Sequence, residues 1–174
     1  MTEHEEHHRH LTESQQVKFN NYVEDKLMHI SRRYVKHMSG SEGGYESISQ
    51  LIGDLNPLID VILYSIQSIP EGERLFGQDD YLLRISDELI EFIEGFGDRP
   101  EPACTLQVLS KLDSIFASLI DGKEVPQLSQ TATVRLSSIV ERTRVTVTNT
   151  FEGVDDDFQD GIAKIYEQVL DRTT

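Results

Sequence analysis

A chain of 174 residues, 37% apolar and 27% charged, is long enough for one domain with a sizeable core and short for two. Its formal net charge of −15 gives a surface that repels phosphate backbones, which argues against direct nucleic-acid binding. No apolar run approaches the roughly 20 residues of a bilayer-spanning helix, the longest, PLIDVILYSI from Pro57, being interrupted by Asp60, so no membrane insertion is expected.

The chain opens on MTEHEEHHRH, a His- and Glu-rich stretch with no apolar core, which excludes a secretory signal and reads as a flexible tail over residues 1–11. His4, His7, His8 and His10 have the chemistry of zinc, copper or nickel ligands, although a metal site also needs fixed geometry and second-shell support. Thr12 and Gln15 then have capping-box spacing, and Phe19, Val23, Leu27, Ile30, Tyr34 and Met38 recur every three or four residues. That pattern predicts a long helix to about Met38, stopped by SGSEGG.

The same helix carries His29, Arg32, Arg33, Lys36 and His37. His37 followed by Gly40 resembles the exposed histidine of helical phosphotransfer domains, without the lysine before the glycine and one residue short in spacing. A basic cluster on a helix surface accounts for these residues more simply, with Arg32, Arg33 and Lys36 as candidate contacts to an anionic partner peptide.

Leu51, Ile52, Leu55, Leu58, Ile59, Ile62, Leu63, Ile66 and Ile69 form the next apolar stretch. Pro57 lies inside it, and Asn56–Pro57 has the form of an N-cap and first-turn pair. Two helices are therefore expected, one ending near Leu55 and one from Pro57 to Ile69, with a single kinked helix as the alternative. In the following loop Gly77 is a candidate N-cap, which places Phe76 and Tyr81 at hydrophobic-staple positions. Phe76, if exposed, would be a candidate partner anchor.

Asp79 and Asp80 complement a helix N-terminus, and Leu82, Ile85, Leu89, Phe92, Ile93 and Phe96 make its buried stripe before Gly97. A further helix runs from about Ala103 to Asp121, through Leu106, Leu109, Leu112, Ile115, Phe116, Leu119 and Ile120, closed by Gly122. Cys104, near its start, cannot form an internal disulfide; it implies a reducing, intracellular setting, cytoplasmic or nuclear, and a small apolar role.

Residues 130–152 carry two signals. TRVTVTNTF alternates like a strand, whereas Leu136, Val140, Thr143, Val147, Phe151 and Val154 keep helical spacing. An isolated strand pair is marginally stable and no other segment offers a sheet, so a helix is expected.

VDDDFQDGIAKIYE raises a last choice. Read from Asp156 it resembles a calcium-binding helix–loop–helix loop, with Asp160 at position five, Gly161 at six and Glu167 at twelve. Position three is Phe158, which offers no ligand, and no second loop exists to pair with it. DDFQD resembles the aspartate-rich motif of prenyl-diphosphate synthases, which use two copies where this chain has one. A capped C-terminal helix accounts for more of the letters: Phe158, Ile162, Ile165, Tyr166 and Val169 share a face, with Asp155, Asp156 and Asp157 at the cap and Gly161 costing roughly 1 kcal/mol.

No internal repeat is evident, and no phosphate loop, HExxH or nucleophile elbow appears, so no catalytic residue and no cofactor is assigned. The expectation is an all-α, single-domain bundle over residues 12–174, of six or seven mostly antiparallel amphipathic helices. Residues 45–129 hold 16 acidic and 5 basic side chains, an asymmetry suited to a partner protein with a basic surface. The function expected is a non-enzymatic intracellular interaction module, an adaptor or subunit of a larger assembly; association with a second copy is compatible with it. The alternatives are a helical bundle that binds a small molecule or metal, enzymes included, and an acidic decoy for a nucleic-acid-binding protein.

Overall fold

The computed structural model describes residues 11–174; the four tail histidines lie outside them. Thr12 begins the first helix as expected, its hydroxyl accepting the Gln15 N–H while the Gln15 side chain returns to the Thr12 N–H. This helix, α1 (Glu13–Ser39), ends at Gly40 in the left-handed region. There follow α2 (Ile48–Gln67), α3 (Gln78–Gly95), α4 (Pro102–Asp121) and α5 (Gln130–Thr150), then a 3-10 turn (Asp156–Phe158), α6 (Gln159–Ala163) and α7 (Glu167–Thr173). Every element among the described residues is helical.

Two boundaries differ from those expected. The proline does not divide α2, which runs through Pro57 as one helix. Pro57 cannot donate to the Gly53 carbonyl, but both residues lie on the exposed face, where that carbonyl is open to solvent. The C-terminal segment, conversely, is not one helix. It breaks at Lys164–Tyr166, where Tyr166 takes a left-handed conformation at φ 55°. One merger and one division cancel, so the described residues form seven α-helices, within the six or seven expected.

Residues 130–150 are helical, and Leu136, Val140, Thr143, Val147 and Phe151 are buried; the apolar stripe overrides the β-branched alternation. Met38 departs from its expected place in the core and is exposed. In α4, twenty residues long and apolar enough to cross a membrane, Val108, Leu109, Leu112, Phe116 and Leu119 instead pack in the core.

The helices stack as three hairpins in two layers. Helices α1, α3 and α5 make one layer, and α2, α4 and α6–α7 the other. Consecutive helices are antiparallel, so neighbours within a layer run parallel. Phe19 meets Tyr81 and Tyr34 meets Phe92 across α1 and α3; Asp80 meets Arg135 and Asp87 meets Arg142 across α3 and α5. Residue numbers rise together in the other layer too, from Ser49–Glu101 to Asp60–Lys111, and from Asp113–Val169 to Asp121–Arg172.

Candidate protein-docking surface

Because α2 and α4 are parallel, their C-terminal ends lie side by side. Between them opens a groove of about 420 Å³. Leu63, Ile66, Ile115, Leu119 and Val125 supply its apolar surface; Asp121, Lys123 and Glu124 stand on its rim. The connection after α4 is held in place, Gln127 donating to the Ile120 carbonyl at 3.0 Å and the Leu128 N–H to Leu119 at 2.8 Å. Gly122 is required here: its φ is +62°, and a Cβ would come 2.6 Å from that of Gln127.

The electrostatics of this pole are negative. A helix C-terminus carries about half an elementary charge, normally offset by a cation in the last turn. Neither α2 nor α4 has one. A neighbouring depression of about 910 Å³ adds Glu71, Glu73 and Asp79 against Arg74. The pole thus combines an apolar surface with a field that favours a cationic ligand.

The candidates on α1 separate into two groups. Arg33 is engaged by the fold: its guanidinium lies 4.1 Å over the Tyr45 ring, pairs with Asp54 at 3.3 Å and donates to the Gly43 carbonyl. His37 stacks on Phe96 at 4.0 Å. Arg32 and Lys36 point to solvent. Phe76 is half-buried and packs edge-on against Phe19 at 5.6 Å; Tyr81 meets the same ring at 6.3 Å, so α1 rather than a local staple closes this corner. Cys104 is half-buried, and burial, followed by the Glu101 carboxylate, raises its thiol pKa.

The interior offers little to a small polar ligand. Buried Gln78 donates to Ser65, Thr105 to the Glu101 carbonyl, Thr143 to the Ile139 carbonyl, and Asp113 accepts two backbone N–H groups of α7. No group of three His, Cys, Asp or Glu side chains among the described residues is placed to hold a metal. Asp156 lies in the 3-10 turn, Asp160 pairs with Lys164, and Glu167 opens α7 beyond the left-handed break.

Sequence reasoning missed the groove, because it depends on which helices are parallel neighbours. Two local signals pointed to it: the absence of a cation in either last turn, and the acids at positions 121 and 124.

Comparison with known proteins agrees with an assembly subunit. The sequence profile of the family TFB6, described as subunit 11 of the general transcription factor TFIIH, matches residues 44–171. The General transcription and DNA repair factor IIH subunit TFB6 of Saccharomyces cerevisiae is 34% identical over 214 residues, covering 95% of this chain and 62% of its own length. The chain thus spans less than two thirds of that relative. Uncharacterized protein C1494.09c of Schizosaccharomyces pombe is 32% identical over 160 residues, covering 92% of this chain and 94% of its own. No solved structure matches significantly. With most of the hairpin stack inside the matched region, the chain belongs to the TFB6 family, subunit 11 of the general transcription factor TFIIH.

Proposed function

We propose that this protein is a non-enzymatic nuclear subunit of a TFIIH-type assembly and that it docks there by accepting a basic, apolar-anchored segment of another subunit in the groove between α2 and α4. The observation that carries the docking site is the pairing of five apolar side chains with two helix C-termini that have no basic residue in their last turns. A cation on the incoming segment would meet both dipole ends and Glu124, while an apolar neighbour displaces water from Leu63 and Val125. The groove lies wholly within the residues shared with the family.

The test is purification of the tagged full chain at native abundance in stringent salt, with quantitative mass spectrometry. Subunits of factor IIH should be recovered in near-equal amounts, and Leu63→Asp with Glu124→Lys should reduce that recovery about tenfold while circular dichroism is unchanged. Recovery of the chain alone would reject the assembly; undiminished recovery with the double variant would reject the groove.

A further inference from the structure

Three apolar side chains of α1 stand in solvent on the side of that helix that faces α3. Met28, Val35 and Met38, at positions i, i+7 and i+10, are 49%, 59% and 57% exposed. They share their face with Glu24, which reaches across to Arg84 of α3 at 3.1 Å, so they border the seam between the two helices on the outer side of the layer. Tyr34 and His37 fix the register of that seam: the Tyr34 hydroxyl donates to the Glu91 carbonyl, and the His37 ring stacks on Phe96. Roughly 15 Å of aliphatic surface therefore runs beside the C-terminal half of α3.

That half of α3 is acidic, and no base stands in its last turn. Asp87 is matched by Arg142 of α5, and Glu88 by Arg84. Glu91 and Glu94 have no ion pair among the described residues; Glu94 accepts only the Thr146 hydroxyl, at 3.4 Å. Their field is felt at the seam: burial, followed by Glu91 and Glu94, raises the pKa of the Tyr34 phenol. Arg32 flanks the stripe on the side away from α3.

We infer that the seam between α1 and α3 docks a basic amphipathic helix of a partner protein on the outer face of the layer. Its apolar side chains would cover Met28, Val35 and Met38, and lysines or arginines on its α3 flank would meet Glu91 and Glu94. Methionine suits such a surface, because its flexible thioether repacks around the side chains it meets. Charge complementarity selects this occupant over a second copy, whose same face would set acid against acid in two chains of net charge −15. The seam belongs to the layer that does not contain the α2–α4 groove, so the two sites are separate and neither rests on the other.

Fluorescence polarisation on the full chain tests it, with a synthetic helical peptide of about 20 residues that carries a leucine stripe flanked by lysines. The same peptide with glutamate for lysine is the control. The lysine peptide should bind, weaken with added salt, and bind about tenfold more weakly to Glu91→Lys/Glu94→Lys, which should now prefer the glutamate peptide. Glu91→Gln/Glu94→Gln should give a smaller loss in the same direction. Met28→Gln/Val35→Gln/Met38→Gln should weaken binding without reversing the preference. Glu71→Lys/Glu124→Lys makes the same change of net charge at the groove pole and should leave the affinity nearly unchanged. Equal affinity for both peptides, or undiminished binding to both Glu91/Glu94 variants, overturns the inference. So does an equal loss in the groove-pole variant, which would assign the attraction to the groove or to the charge of the whole chain. Self-association that is lost in the triple glutamine variant overturns it too, by assigning the seam to a second copy.

Discussion

The carboxylate of Asp113 accepts the N–H of Val169 at 2.9 Å and that of Gln168 at 3.1 Å, so a side chain on α4 caps a helix that begins more than fifty residues later. The helix it caps is seven residues long, too short to hold itself in water. The guanidinium of Arg144 on α5 donates to the Ala163 and Ile165 carbonyls at the end of the preceding turn. Between them Tyr166 occupies its left-handed conformation, almost wholly buried.

Asp113→Ala should cost about 2 kcal/mol, because two N–H groups lose a charged acceptor in a buried place. The effect should be local first. Hydrogen exchange would show lost protection across residues 165–173 with the amides of α3 unchanged, and a variant with undiminished protection there would exclude the capping role.

The glycine at 95 lets α1 approach α3. A Cβ there would meet the Tyr34 ring at 2.9 Å, and that ring is held against Phe92 at 4.8 Å with its hydroxyl donating to the Glu91 carbonyl. Gly95→Ala gains up to about 1 kcal/mol of helix propensity and meets an overpacking cost of roughly 1–3 kcal/mol. Denaturant unfolding should show a net loss, and Gly95→Ala/Tyr34→Leu should recover part of it; a stabilised single variant would contradict the close packing.

Alkaline pH should unfold the protein from its tyrosines. Burial, then the Asp54 carboxylate that accepts the Tyr45 hydroxyl at 2.7 Å, raises the pKa of Tyr45. Burial raises Tyr166, and burial with Glu91 and Glu94 raises Tyr34. In each case the native state holds its proton more tightly than the unfolded chain, which ionises near 10. Their contribution is therefore complete below pH 10 and is lost as pH rises above it. The Tm should be flat up to about that pH and then fall, with tyrosinate absorbance appearing together with the loss of helix. Tyrosinate at full helicity for all six tyrosines would contradict it.

Tyr166→Phe separates packing from hydrogen bonding at one atom. The Tyr166 hydroxyl is buried without a hydrogen-bond partner, and the Ser86 hydroxyl donates instead to the Leu82 carbonyl. Removing it should leave stability unchanged or raise it by up to about 1 kcal/mol, whereas Tyr166→Ala should cost about 3–5 kcal/mol. A loss of more than 1 kcal/mol in the phenylalanine variant would show that the hydroxyl is bonded in solution.

What was legible in the sequence was local. The Thr12–Gln15 cap, the Gly77 start of α3 and the stripe Leu136, Val140, Thr143, Val147 and Phe151 all act within a few turns, and each reappears as expected. The continuity of α2 through Pro57 depended on which face of that helix meets water, and the break at Tyr166 on Asp113 and Arg144, brought from two other helices. The groove required knowing that α2 and α4 run side by side, and the Phe76 corner needed Phe19 from α1. Burial follows periodicity closely, while what two distant segments build together is at most hinted at in either alone.

The stacking of hairpins also governs how the molecule yields. The first and third hairpins share no extensive face, so a load applied to α1 reaches α7 only by way of α3 and α4. Such a row melts from its ends, and its middle hairpin is the last to give way. A chain of this kind can have one end loosened while the other keeps its packing.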